Sequence, residues 1–358
     1  MGVSSALGSS ALLPAGLGFR NVLINGDMGI AQRATTAGSI TGSGYHTVDR
    51  WVFAVDSAGT WTMTQENDAP AGFRKSAKVL CTVANTLAAG DNLALIQRIE
   101  GVNAQGFRKG SSASRPFALS FWVKSNLTGT YVVELYDIDN TRQVSASYTI
   151  NASGVWEYKT IMLPADPSGQ LDYDNNNSLQ CTFWLMAGSN FSSGTLNTSW
   201  ASVTNTNRAA GQANLAATVN NYWQVTGVQL EANYEPTPFE QRPFGVELSL
   251  CQRYYYILVE GSTKEVATGF TLGANDVRVN VCLPVTMRAT PVQSNTGGTN
   301  FFIAYYGASS VQGNVTADPG TSSPTIGALN FSINVPANTP CLVRTNSASA
   351  RIAFSAEL

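Results

Sequence analysis

Apolar and polar residues alternate with a period of two through most of the chain, and Gly, Asn, Asp, Ser or Pro cut the alternation every few residues. Short runs of this kind read as half-buried strands closed by turns. In order they are NVLINGDMGIAQR (Asn21 to Arg33), YHTVDRWVFAV, TWTMTQE, KSAKVLCTVA, ALIQRIEG, FALSFWVKS, TYVVELYDID, VSASYTI, WEYKTIML, LQCTFWLMAG and NNYWQVTGVQLEAN. Phe121 and Val123, Val133 and Leu135, and Phe183 and Leu185 each share a face, which assigns them to a core. The strand tryptophans Trp51, Trp61, Trp122, Trp156 and Trp184 are expected there too. Hardly any helical period interrupts the series, so it predicts an antiparallel β-sandwich of jelly-roll type.

The pattern breaks at GVQLEANYEPTPFEQRPFGVELSLCQRYYY. Pro236, Pro238 and Pro243 stop both a sheet ladder and a helix. After Pro243, Val246, Leu250 and Tyr254, with Cys251 beside them, have the spacing of one apolar helix face, and Glu247 and Arg253 suit the two ends of the helix dipole. Tyr255 and Ile257 then open a second β series (YYYILVEG, GFTLG, DVRVNVCLPVTM, NFFIAYYG, NFSINVP, ARIAFSAEL). A chain of 358 residues suits two units. The expected plan is all-β: residues 1–20 as an attachment segment, a jelly roll over 21–240, a proline-bounded linker with a short helix over 241–254, and a second, smaller β-sandwich over 255–358. Tyr254, Tyr255 and Tyr256 sit at the joint, where interdomain or intersubunit packing is expected. No fixed-period repeat is visible, which disfavours a β-helix or propeller.

Composition narrows the function. Charged residues are 12% of the chain against a typical ~25%, so solubility rests on hydroxyls and amides. With a net charge of −2 and scattered Lys and Arg, the chain lacks the footprint of a nucleic-acid binder. No apolar run approaches the ~20 residues that span a bilayer, so membrane insertion is not expected. The first residues carry no basic side chain before Arg20 and make a poor signal peptide. The five cysteines, Cys81, Cys181, Cys251, Cys282 and Cys341, are far apart and lack metal-ligand spacing, so they read as buried small hydrophobes.

The ordered motifs NVLINGDMGIAQR, VDRWVF, QRIEG, SFWVKS, GTYVVELY, WEYKTIMLPAD, NYWQVTGVQLE and TPFEQRPFGVELSLCQRYY run from Asn21 to Tyr256. Together they resemble a family of tail fibre or minor tail structural proteins of tailed phages and prophages. The resemblance implies a jelly roll similar to carbohydrate-binding modules, followed by a variable C-terminal tip. It also implies a virion protein made in the host cytoplasm, commonly a homotrimer, joined to the phage tail or baseplate through its N-terminus and attaching to a host surface polysaccharide. Asp49, Arg50 and Trp51 match the family's DRW, and Arg50 is expected to make an internal charge-assisted hydrogen bond. Gln97, Arg98, Glu100, Gln229 and Glu231 match QRIEG and VQLE and are expected to line adjacent strands in structural roles, as are Pro243 and Tyr254.

Catalysis finds little support. His46 is the single histidine and has no partner in metal or triad spacing. Glu134, Asp137, Asp139, Asp172 and Asp174 could in principle supply a glycosidase pair, but YDIDNT and LDYDNNN have the composition of turns. Asp172, Asp174 and Asn176 start like an EF-hand loop, yet Asn177 replaces its Gly and Phe183 its terminal Glu. No cofactor is expected beyond a structural calcium, for which analogy with carbohydrate-binding jelly rolls points to Asp27 and Glu231. Sugar recognition needs exposed aromatic rings with amides and hydroxyls nearby. The long segment Gly188 to Asn221 offers Phe191, Trp200, Arg208, Gln212 and Asn214, and the tip offers Phe302, Tyr305 and Tyr306 with the loop from Gly307 to Gly327. A structural virion component and a glycan depolymerase are the alternatives to a non-enzymatic attachment protein.

Overall fold

The computed structural model describes residues 19–358 apart from 57–58, 274, 297 and 317–319. Residues 1–18 of the expected attachment segment, and part of the tip loop, lie outside the described residues. Twelve strands come first: β1 Thr36–Ile40, β2 Trp51–Asp56, β3 Thr60–Glu66, β4 Ser76–Val83, β5 Asn92–Glu100, β6 Phe117–Ser125, β7 Gly129–Asp137, β8 Arg142–Ile150, β9 Glu157–Leu163, β10 Asn177–Ala187, β11 Ala201–Ser202 and β12 Tyr222–Ala232. They form two antiparallel six-stranded sheets, β1-β3-β4-β12-β6-β9 and β11-β8-β7-β10-β5-β2, stacked as a jelly-roll sandwich. Alternation decides what lies between the sheets. Phe117, Leu119, Phe121 and Val123 of β6 meet Tyr131, Val133 and Leu135 of β7 and Leu179, Cys181 and Phe183 of β10 in one core with Trp51, Trp61 and Trp223. Each large side chain removed from water there contributes about 1.5–3 kcal/mol before entropy is counted.

Asn21 to Arg33 reads as a strand followed by a turn at Gly26-Asp27; the structure has the turn but no strand there. The segment threads between the sheets and is held by side-chain amides. Gln97 brackets Ile24, accepting from its N–H at 2.6 Å and donating to its carbonyl at 2.8 Å. The Asn25 amide spans the carbonyls of Ile30 and Asp49, and Asn21 donates to the carbonyl of Val228. Leu23, Ile24, Met28 and Ile30 are buried, but the segment has only isolated backbone bonds to β12, Val22 donating to the Leu230 carbonyl and Val228 to that of Gly26, and amides take the place of a ladder. Gly26 is needed because a Cβ there would lie 2.1 Å from the Val228 carbonyl oxygen.

Beyond the prolines a helix runs from Phe244 to Gln252. Its buried face is Glu247 and Cys251, continued by Tyr254, whereas Val246 is exposed. Glu247 turns inward because it accepts from the Asn25 N–H and pairs with Arg242 at 3.2 Å. The second set of strands follows: β13 Tyr255–Glu260, β14 Glu265–Gly273, β15 Asp276–Cys282, β16 Val292–Asn295, β17 Phe302–Tyr306, β18 Ser309–Val315, β19 Ile326–Ser332, β20 Pro340–Thr345 and β21 Arg351–Ser355. Strands β13-β21-β16 make a small antiparallel sheet, and β14-β15-β19-β18-β17-β20 close on themselves into a six-stranded barrel. Val277, Val279, Phe302, Leu329, Phe331, Ile352 and Phe354 belong to a second core shared by barrel and sheet.

Candidate functional site

The sheet containing β6 and β9 leaves part of its outer surface open to solvent, at β9 and the end of β6. Trp122 and Lys124 are half-buried and alternate with the buried Phe121, Val123 and Ser125 of β6, so they point outward. Tyr158 of β9 stands opposite Trp122 in register, their ring centroids are 5.3 Å apart at 46°, and Tyr158 is 46% exposed. Trp122 and Trp156, expected in the core, are half-buried. Trp122 occupies the odd position of an otherwise inward alternation, and Trp156 precedes β9. Both readings are corrected here. Two more rings arrive from connections: Phe73, after β3, and Phe239, from the proline-rich segment, meet edge to face at 5.1 Å. They seat over Gly227, whose φ of 63° falls in the left-handed region and where a Cβ would meet the Phe73 ring at 2.6 Å. Gly227 lies in an irregularity of β12 between Thr226 and Gln229, a local bend of the kind a bulge produces.

Phe73, Trp122, Tyr158, Gly227, Pro238 and Phe239 line a shallow groove of about 230 Å³. At its rim Lys124 Nζ lies 2.6 Å from Asp68 Oδ2, and Trp156 Nε1 donates to Asp68 Oδ1 at 3.2 Å. Desolvation pushes the Asp68 carboxyl up, but the hydrogen bonds from Lys124 and Trp156 outweigh it and hold the group below its ordinary value. Glu157 behaves alike. Desolvation raises it, but Lys159 and the backbone and side-chain donors of Asn151 and Ala152 bring it down to about 2. Lys78 sits 3.8 Å from Glu66 and over the Tyr222 ring.

The outer surface of the opposite sheet is covered. The segment from Gly188 to Asn221, read as a long loop, folds down on β7, β8 and β10. Phe191 packs on Trp184 at 5.6 Å. Arg208 forms a two-pronged pair with the buried Glu134 at 2.8 and 2.9 Å, and Trp184 Nε1 donates to the same carboxylate. Gln212 accepts from the Val132 N–H, and Asn214 caps the turn Leu215–Ala217 through the Ala216 N–H. Trp200 donates to the Pro164 carbonyl and leans on Phe117. Each of the five residues proposed here for sugar contact is thus occupied inside the chain. Their polar groups satisfy a covered sheet, which a buried polar surface requires.

In the barrel, Phe302 is fully buried and packs on Phe331 at 5.2 Å, which corrects its reading as a surface ring. It faces inward by the same alternation that turns Tyr305 outward. Tyr305 accepts a hydrogen bond from Arg344, and Tyr306 packs against the barrel core. A hollow of about 330 Å³ on the barrel is lined by Arg278, Asn280, Thr321, Ile326, Ala328 and Leu329, not by these rings.

The calcium expectation at Asp27 and Glu231 is not matched by geometry. Glu231 accepts from the Thr237 N–H and hydroxyl and from Gln229, and Asp27 accepts from the Gly29 N–H. Among the described residues no group of three or more His, Cys, Asp or Glu is placed to hold a metal. Other carboxylates weighed for hydrolysis are likewise engaged. Asp137 pairs with the buried Lys109, Asp139 accepts from the Asp172 N–H and Asp174 from Asn176. His46 Nε2 lies 3.2 Å from the Gly42 carbonyl oxygen.

The joint gathers the DRW and QRIEG residues. Trp51 is core, its Nε1 donating to the Asn25 carbonyl. Burial lifts Asp49 to about 6, against hydrogen bonds from Gln32 and the charge of Arg33. Arg50 does make the expected charge-assisted bond, but its partner is Glu357, more than three hundred residues away, and its guanidinium lies 3.4 Å from the Tyr254 ring centroid. Glu100 accepts from Arg253 at 2.9 Å and from the Tyr254 hydroxyl, and Arg98 donates to the Leu358 carbonyl. Tyr255 stacks under Arg33 at 3.6 Å. Pro243 caps the start of the helix. Gln97 and Glu100 lie on β5 and Gln229 and Glu231 on β12, in different sheets, so the expectation of adjacent strands fails: the Asn21 to Arg33 segment lies between them.

No family model matches the sequence, and no curated protein does. Among solved structures, a putative sugar binding protein from Bacteroides thetaiotaomicron superposes with a TM-score of 0.33 at 13% identity, over 60% of this chain and 100% of that one. TmCBM61 in complex with β-1,4-galactotriose gives 0.30 at 11%, over 60% and 100%. The family 11 carbohydrate-binding module from Clostridium thermocellum, in complex with a β-1,3-1,4-mixed-linked tetrasaccharide, gives 0.29 at 12%, over 56% and 97%. Scores this low carry no weight for function.

Proposed function

We propose that the chain is a non-catalytic carbohydrate-binding protein, a tail fibre or minor tail component of a phage virion, which holds a host surface glycan on the open face of its jelly roll. The observation that carries this reading is the Trp122–Tyr158 pair, two aromatic rings held side by side at 5.3 Å and in contact with solvent on the outer face of the sheet. The C–H faces of sugar rings stack on such rings, and the Tyr158 hydroxyl and the exposed Thr160 can bond ring hydroxyls. The virion setting rests on the resemblance of Asn21 to Tyr256 to phage tail proteins, which also implies a trimer. Trimers convert weak single sites into firm attachment through effective concentration.

A glycan array probed with the intact protein, beside the Trp122→Ala and Tyr158→Ala variants, tests the site. Wild type is expected to bind at least one polysaccharide, and each variant to lose about tenfold or more in affinity, the loss of a central aromatic anchor. Binding that survives both substitutions overturns the site. Gold-labelled antibody on purified particles tests the setting: label at the tail tip supports it, and label on the capsid alone overturns it.

A further inference from the structure

We infer, building on the carbohydrate reading above, that the groove takes uncharged sugar rings and that Asp68 is the residue that excludes carboxylated ones. The groove's lining contains no carboxylate and no cation: it is four rings, a proline and a glycine. On the same outer face Lys124 is held by Asp68 at 2.6 Å, and Lys78 is shared between Glu66 and the Tyr222 ring. A uronate or sialate entering the groove would have to give up hydration without gaining a cation from the groove's lining, and it would bring its negative charge beside that of Asp68. Burying an unpaired charge is unfavourable, so such a sugar is rejected. A neutral ring stacks on Trp122 and Tyr158 and leaves every ion pair in place. Asp68 has two jobs in this arrangement, because its second oxygen also fixes the Trp156 indole. It stands on the connection between β3 and β4, outside the aromatic platform, and therefore acts as a specificity residue.

The test uses the intact protein on immobilised neutral polymers (dextran, mannan, galactan, mixed-linkage glucan) and carboxylated ones (polygalacturonate, alginate, polysialic acid). Wild type is expected to be retained on a neutral polymer and on none of the carboxylated ones. That retention should change less than about twofold from low salt to about 0.5 M NaCl, since no exposed charge pair contributes. Asp68→Asn frees Lys124 and is expected to gain at least about fivefold in retention on a carboxylated polymer, a gain that salt removes. Lys124→Gln is expected to keep neutral binding within about twofold, because that cation is not used. Wild-type binding to carboxylated polymers that is lost in Trp122→Ala overturns the selectivity but leaves the carbohydrate reading standing. Failure of Asp68→Asn to gain such binding, or loss of neutral binding in Lys124→Gln, overturns the role of Asp68. Absence of retention on every polymer overturns the reading of the groove itself.

Discussion

The two outer faces of the sandwich are made by the same alternation and have opposite fates. On the sheet holding β7 and β10, the outward residues Val132, Glu134 and Trp184 are buried because the Gly188 to Asn221 segment lies over them and answers their polar groups one by one. On the sheet holding β6 and β9, the outward residues Trp122 and Tyr158 keep contact with water, and Lys124 and Lys78 on the same face are paired with Asp68 and Glu66. An aromatic ring on a strand is therefore ambiguous until its cover is known. Trp184 and Trp122 both point outward, yet one is structural and the other is free to meet a ligand. The long segment, which looked like a binding loop, is a lid that removes a face from solvent.

The largest expected effect separates covered from open. Arg208→Ala leaves Glu134 buried beside Trp184 with its cation gone, which should cost about 3–5 kcal/mol of stability. Urea unfolding measures this, and a loss below about 1 kcal/mol would mean the face is not sealed. Next, Gly227→Ala places a Cβ against the Phe73 ring at a left-handed φ and should cost on the order of 1–3 kcal/mol. Because Phe73 must move, the same variant should also lower glycan affinity, which links the geometry of β12 to the open face alone. The smallest effect is in acid. Glu157 in the folded chain titrates at about 2, below the ordinary 4.5, so its pairing stabilises the fold fully above pH 4.5 and is lost as pH falls toward 2. Thermal unfolding should show wild type above Glu157→Gln near neutrality, with the gap closing across that window. A gap that is constant with pH would show that Glu157 contributes through something other than its charge. The covered side runs the other way, because burial, set against the pull of Arg208, raises the Glu134 carboxyl.

Much of this fold is legible in local pattern. The period-two runs over β2 to β10, the stop at Pro236, Pro238 and Pro243, and the short helix after them follow from backbone chemistry that acts over a few residues. Asn21 to Arg33 shows the limit of that logic. Its apolar residues Leu23, Ile24, Met28 and Ile30 are buried as the pattern implies, but its backbone is answered by the amides of Gln97 and Asn25 and by isolated bonds to β12 at Leu230 and Val228 rather than by a ladder. Nothing within the segment distinguishes one from the other. The candidate site was less legible still. Trp122 and Trp156 could have been flagged by the polar neighbours Ser120, Lys124 and Tyr158 on the same side of the alternation, a signal that their size obscured. Phe73 and Phe239 lie outside any strand, and no spacing rule brings them together.

By itself, then, the sequence determined the class of fold, the short length of the strands, the site of the break and the inward set of side chains, because each depends on steric and hydrophobic preferences that a few consecutive residues satisfy. Tertiary structure decided which outward face is covered, that Arg50 would find its carboxylate at Glu357 across the joint, that the last large sheet closes into a barrel, and that four rings from distant segments share one groove. Those outcomes depend on pairings between residues tens to hundreds of positions apart, and such pairings are selected by the packing of the whole chain rather than by any local propensity.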